Sequence, residues 1–352
     1  MLETIARTCS HSPQMAHRDS KRISRMPSVS DWKIPPNEQP RLADYAFDLN
    51  VVMGAVVGLR AMIPEDAFTA QVLGTERAGN GVVIRESGLV LTIGYLITEA
   101  ETIWLSPRAG PPVQGHALAY DQETGFGLVQ ALAPLDAPAL PIGSSAEASI
   151  GDRVVVAGAG GRQHSVAARV VAKQEFAGYW EYVLDEAIFT APAHPNWGGT
   201  ALIGASGDLL GIGSLKLEQP REGREPASGH LNMVVPIDLL KPILDDLLRH
   251  GRPNRPPRPW LGLYAVEIED RIVVIGLADR GPAQRAGLHT GDVVRAIGGE
   301  EVSNLAGMFR RVWSLGQAGV EIPILLDRDG RIVEHKIASA DRSSFFKAPR
   351  LH

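Results

Sequence analysis

The sequence predicts a mainly β protein that continues into a second, smaller α+β domain, and three observations carry that prediction. From about residue 46, short runs rich in Val, Ile and Leu recur at near-regular intervals between Gly, Pro, Asp and Ser, the pattern of an all-β sandwich or barrel. The segment IDLLKPILDDLLRHG then places Ile237, Leu239, Leu240, Ile243, Leu244, Leu247 and Leu248 on an amphipathic helix that stops at Gly251. RPNRPPRP follows, an extended semi-rigid spacer, so residues 46–250 form one domain, 251–259 a linker and 260–342 another. The length of 352 residues agrees, because single cores rarely grow past about 250 residues.

The first 45 residues read as disordered or extended, and the first 25 contain no apolar run long enough for a signal-peptide core or a membrane span. Cytoplasmic residence is the expectation, with Met26 an alternative start to Met1. Cys9 is the sole cysteine, which excludes an intrachain disulfide and a cysteine-based metal site. The first domain opens with DYAFDLNVVMGAVVGLRAMIP, helical and then strand-like in spacing. GNGVVIRESGLVLTIG, ETIWLSP, HALAYDQETGFGLVQAL, GDRVVVAGAGG, HSVAARVVAKQEF, WEYVLDEAIF and TALIGASGDLLGIGSLKL supply strands, and EQPREGREPASG is a solvated loop. The second domain offers LGLYAVEI, RIVVIGLA, GDVVRAIGG, a helix over 304–315, and a hairpin turning at Asp329-Gly330. Residues 343–352 look like a loose tail. With 44% hydrophobic and 21% charged residues the composition is that of an ordinary globular protein. A net charge of -5 without a long basic run argues against nucleic acid as a partner.

These stretches, in this order, resemble the HtrA (DegP-like) proteins: a trypsin-like double β-barrel followed by a PDZ domain. GNGVVIRESGLVLT resembles the strand pair before the family's catalytic His, YDQETGFGLVQ the segment holding the catalytic Asp, and HPNWGG the segment of the nucleophilic Ser. The resemblance implies a triad in which the Ser oxygen attacks, the His takes its proton and the Asp orients the His. Carried over, the three positions fall on Tyr95, Gly125 and Trp197, or on Gly198 if the register is counted back from Gly207. None supplies the required chemistry: a phenol is a poor base at neutral pH, and neither glycine nor tryptophan can form an acyl-enzyme. Amides of the Gly198-Gly199 turn remain as a vestigial oxyanion hole. The expectation is a pseudoprotease with a quality-control or regulatory role. The alternative is an active serine-type endopeptidase rebuilt from His116, His194, Asp121, Asp185, Thr200 or Ser206 in the same segments.

The histidines show no pair at ligand spacing beside a carboxylate, so no metal site is expected. No cofactor is expected either, since GAGGRQ lacks the full dinucleotide fingerprint and reads as a hairpin turn. The PDZ resemblance implies binding of peptides or protein C-termini by strand addition, with loop amides receiving the carboxylate. PWLGL resembles that loop, which assigns the role to the amides of Leu261, Gly262 and Leu263. Met308 and Val312 on the helix either line the groove or belong to the core, and Trp260 and Trp313 serve the groove or the domain interface. The family also implies trimers through N-terminal aromatic residues, and Tyr45 and Phe47 lie in the corresponding region.

Overall fold

The computed structural model describes residues 32–218 and 229–347. Expectations for Cys9, for a start at Met1 or Met26 and for most of the loop 218–229 fall outside the described residues. The first domain begins with α1 (Leu49–Gly54), whose first turn is capped by the Asp48 carboxylate accepting from the amides of Asn50 and Val51. The first six strands are β1 (Val56–Met62), β2 (Glu76–Arg85), β3 (Leu89–Ile93), β4 (Thr102–Ser106), β5 (Val113–Tyr120) and β6 (Phe126–Ala131), with the short α2 (Ala70–Leu73) after β1. They close into a barrel in the order β1-β2-β3-β6-β5-β4. A second closed barrel, ordered β10-β11-β12-β9-β8-β7, is built from β7 (Arg153–Ala157), β8 (Ser165–Gly178), β9 (Tyr182–Ala191), β10 (Ala201–Ile203), β11 (Leu209–Glu218) and β12 (His230–Pro236). Closure pairs every strand and leaves no open edge. One apolar core runs through both barrels, with Phe126 and Leu128 on one side and Phe189 and Ile212 on the other fully buried in it.

Residues 32–40 lie in the segment expected to be disordered or extended, and they are packed against the second barrel. Ile34 is buried, its amide donates to Gln163 O at 2.9 Å, and Ala167 N donates to Glu38 O at 2.7 Å. Trp32 packs edge-on against His164 and His194, so this segment lies along the second barrel. Tyr45 and Phe47 are half-buried against the shared core, 5.4 Å apart. The expected helix over 237–250 is broken into a 3-10 turn, Ile237–Leu239, and α3 (Leu244–His250). The reason is Pro242, which lacks an amide and disfavours the helical conformation of the residue before it. The apolar face survives the break, since Ile237, Leu240, Ile243 and Leu247 remain buried.

The second domain is a sheet of β13 (Leu263–Ile268), β14 (Arg271–Leu277), β15 (Val293–Ile297), β17 (Glu321–Arg328) and β18 (Arg331–Ala338), with β16 (Glu300–Glu301) paired to β15. It carries α4 (Pro282–Arg285) and α5 (Leu305–Ser314), the latter capped by Asn304, whose side chain accepts from Gly307 N. The β17–β18 hairpin turns at Asp329 (φ +53) and Gly330 (φ +78), the paired positive φ values that a two-residue hairpin loop needs. Met308 and Val312 are fully buried in the core with Leu263, Phe309 and Ile324.

The spacer is pinned in place: Arg255 and Arg258 reach Glu123 at 2.9 and 2.8 Å, and the Arg258 guanidinium lies 4.4 Å from the centre of the Trp313 ring. The expected looseness of the tail is also corrected as far as residue 347. Phe345 packs against Trp260 and Phe68, Phe346 against Phe68 and Tyr120, and Lys347 N donates to Glu99 at 2.7 Å. Two adjacent phenylalanines in a polar tail gain most by covering apolar surface left at the domain junction.

Candidate functional site

The turn after β3 carries Tyr95, the start of β6 is preceded by Gly125, and the β9–β10 connection carries Trp197. All three line one cavity of about 270 Å³ in the cleft, together with Tyr120, Trp180, Tyr182 and Ser214. Among the described residues its lining contains no histidine and no carboxylate. The Tyr95 hydroxyl donates to Ser214 O at 2.9 Å. Burial pushes it well above the ordinary tyrosine range, a contact with Trp197 opposing the shift only in part. A phenol in that state is no base at neutral pH. Gly125 sits at φ +84 with its carbonyl accepting from Gly94 N at 2.7 Å, and Tyr182 Oη fills the space where a side chain would emerge, 3.2 Å from the point a Cβ would occupy. At Gly198 such a carbon would stand 2.8 Å from Tyr95 Oη, so Tyr95 occupies the place that a nucleophile's side chain would need in that register.

The HPNWGG segment is stitched to the first barrel. Asn80 Nδ2 donates to Asn196 O and Gly198 O, both at 3.0 Å, Asn80 N donates to Gly198 O, and Asn80 Oδ1 accepts from Ala159 N at 2.9 Å. Gly199 has φ +76, and a Cβ there would lie 1.8 Å from Asn80 O. Only glycine allows that approach. The expectation of a vestigial oxyanion turn is corrected at Gly199, because its amide already donates to Gly213 O at 2.8 Å. The turn thus spends this donor on closing β10 against β11.

In the second domain the amides of Leu261, Gly262 and Leu263 converge on a carboxylate, that of Glu181 at the tip of the β8–β9 hairpin. Gly262 N is 2.7 Å from Oε1. Burial pushes the Glu181 carboxyl up to about 7, against the three amide hydrogen bonds and the positive charge of Arg342.

Comparison with known proteins agrees with this division. Residues 79–212 match the trypsin-like peptidase domain and residues 259–338 the PDZ domain. A putative serine protease HhoA of Synechocystis is 25% identical over 71% of the chain, and the serine endoprotease DegS of Haemophilus influenzae 26% identical over 63% of it. The matches take in 66% and 65% of those two proteins. The serine endoprotease DegS of Salmonella typhimurium is 24% identical over 88% of the chain and 90% of its own length. In fold, the chain is similar to a serine-to-alanine variant of the HtrA-type protease AlgW solved with a tripeptide, at a TM-score of 0.51 and 22% identity, over 86% of this chain and 97% of the other. Both domains are present, in the family's order. The chain belongs to the HtrA-like family of trypsin-fold proteins with a C-terminal PDZ domain.

In this HtrA-like chain none of the six residues weighed for a rebuilt site lines the cleft cavity. Thr200 is buried and donates to Trp197 O, and Ser206 bonds Asp208 in an exposed turn. His194 is locked between His164 O at 2.8 Å and Asn196 N at 3.1 Å, and burial lowers its imidazole to about 4. Asp121 accepts from the Thr124 amide and hydroxyl, Asp185 pairs with Arg310 at the surface, and His116 is exposed on β5. Sequence reasoning missed Glu181 and Arg342. The signal for Glu181 was local: a lone acid between Trp180 and Tyr182 in an otherwise apolar strand run. Arg342 lines the cavity with Nε and Nη1 buried and without a hydrogen-bond partner among the described residues. Nothing in its polar local sequence marks it.

Proposed function

We propose that this HtrA-like protein has lost peptide-bond hydrolysis and acts by binding, recognising extended peptides or protein C-termini through its PDZ domain in a quality-control or regulatory role. The observation that carries this reading is the cleft, where Tyr95, Gly125 and Trp197 meet in a cavity lined by neither imidazole nor carboxylate. Acyl transfer needs a nucleophile, a base within hydrogen-bond reach and a donor pair for the oxyanion. Here the cleft lining offers no base to activate a hydroxyl, and the Gly199 amide is engaged elsewhere. The binding half of the reading is supported by the Leu261–Leu263 amides, which are aimed together at a single carboxylate in the manner a terminal carboxylate requires.

The relatives are named serine proteases, so the direct test is cleavage. Incubated with a reduced, unfolded protein substrate, the full chain is expected to leave it intact over hours, as judged by mass spectrometry. Fragments that accumulate in proportion to the chain and persist through further purification would overturn the reading. Binding is tested separately with peptides carrying free or amidated C-termini, the free acid being preferred.

A further inference from the structure

The amides suited to a ligand's terminal carboxylate already hold one. Glu181 Oε1 lies 2.7 Å from Gly262 N and 3.2 Å from both Leu261 N and Leu263 N, with Oε2 3.1 Å from Leu261 N. The side chain is buried, and its residue adopts φ +63 at the end of the three-residue hairpin loop. The same hairpin tip takes the next donor on β13, since Ala265 N donates to Tyr179 O at 3.1 Å. β13 is the end strand of its sheet, and a sheet edge is where an added peptide strand pairs.

The apolar side of the groove is engaged too. Val183, two residues past Glu181, is buried in the PDZ core cluster with Met308 and Val312 of α5. α5 packs on β8 and β9, and its Arg310 pairs with Glu175 on β8 and Asp185 on β9. The hairpin therefore presents three features of a bound C-terminal peptide: a carboxylate for the loop, a backbone carbonyl for the strand edge and an apolar side chain against the helix.

We propose that the β8–β9 hairpin is a built-in competitor for the PDZ groove: Glu181 fills the carboxylate loop in cis, and a protein C-terminus binds by displacing this tip. The proposal rests on the reading of the second domain as a C-terminus binder. A tethered group competes at high effective concentration, so the apparent affinity for a free ligand falls by the fraction of molecules in which the tip is released. The ligand that displaces it carries both a free terminal carboxylate and an extended backbone able to replace Tyr179 along β13.

The test uses the full chain. Fluorescein-labelled decapeptides varied in their last four residues, each made as free acid and as amide, are titrated against wild type, Glu181→Gln and Glu181→Ala. Hydrogen exchange is followed over 176–183 and 260–265. The expected result is that free-acid peptides bind Glu181→Ala about tenfold or more tighter than wild type, with Glu181→Gln between. Saturating peptide on wild type should raise exchange in 176–183 while the amides of 261–263 stay protected. Equal affinity for all three proteins, or peptide binding that leaves 176–183 unchanged, overturns the proposal. Amidated peptides binding every form as well as free acids would instead defeat the C-terminus reading itself, a result independent of Glu181. If Glu181→Ala does not fold, the exchange response of wild type decides the matter alone.

Discussion

The cleft of the barrels and the carboxylate loop of the PDZ domain contrast in what occupies them. In the barrel cleft Asn80 and Gly199 hold the HPNWGG turn, while Tyr95 and Trp197 line a cavity with no histidine or carboxylate among the described residues. In the PDZ groove the recognition groups persist and are engaged by the chain itself, through Glu181. Glycines and a bridging asparagine can be needed for packing whether or not a bond is cut. A nucleophile and its base are needed for nothing else. The contrast separates residues that a fold requires from residues that a reaction requires, and that separation can be attacked experimentally.

The largest effect is expected at Gly199. Alanine there places a carbon 1.8 Å from Asn80 O at φ +76, and a loss of about 3 kcal/mol or more in denaturant unfolding is expected. A neutral outcome would mean that the turn is not structural. Gly125→Asp, which places an acid at the position the family resemblance assigns to one, is expected to cost about 1–2 kcal/mol because of φ +84 and the nearby Tyr182 Oη. It should create no hydrolytic activity, with cleavage of an unfolded protein as the assay.

A pH effect probes the other cleft. Burial raises the Glu181 carboxyl from an ordinary 4.5 to about 7, so the docked hairpin binds a proton more tightly than the released one. Docking is therefore favoured fully below 4.5, weakens as pH rises towards 7, and is flat above it. Between pH 6 and 8 the docking constant should fall about tenfold, seen as tighter binding of free-acid peptides at the higher pH. Arg342 and Tyr264 are the charged and titratable groups coupled to Glu181. His250 shares a lining with Glu181 in the adjoining cavity, so His250→Gln serves as the control. The smallest effect is expected from Arg310→Ala, which removes surface pairs with Glu175 and Asp185. Exposed pairs of this kind contribute about 0.5 kcal/mol or less each, and peptide affinity should tighten by less than tenfold.

Much of the architecture was legible in the sequence because it is written in local patterns. Short runs rich in Val, Ile and Leu between turn residues marked the strands, the segment 304–315 marked α5, and Asp329-Gly330 announced the last hairpin. The break in the helix at Pro242 was missed because apolar periodicity runs across it: Ile237, Leu240, Ile243 and Leu247 keep their burial through the interruption. Tyr95, Gly125 and Trp197 were readable as neighbours because each lies in a short segment with its own framework, and the three line one cavity. What escaped depends on contacts across long separations. Glu181 meets Leu261 eighty residues on, and Lys347 meets Glu99 across 248. Local pattern has no access to such pairings, and polar residues give no periodicity from which to infer them.

The central claim, that the barrel cleft of this HtrA-like chain does not hydrolyse peptides, is tested most directly by a serine-reactive phosphonate probe applied to the full chain and read by intact mass. The account predicts no covalent adduct at any probe concentration that leaves the fold intact. A stoichiometric adduct that disappears in Thr200→Ala, Ser206→Ala or Ser214→Ala would contradict it and would identify the relocated nucleophile.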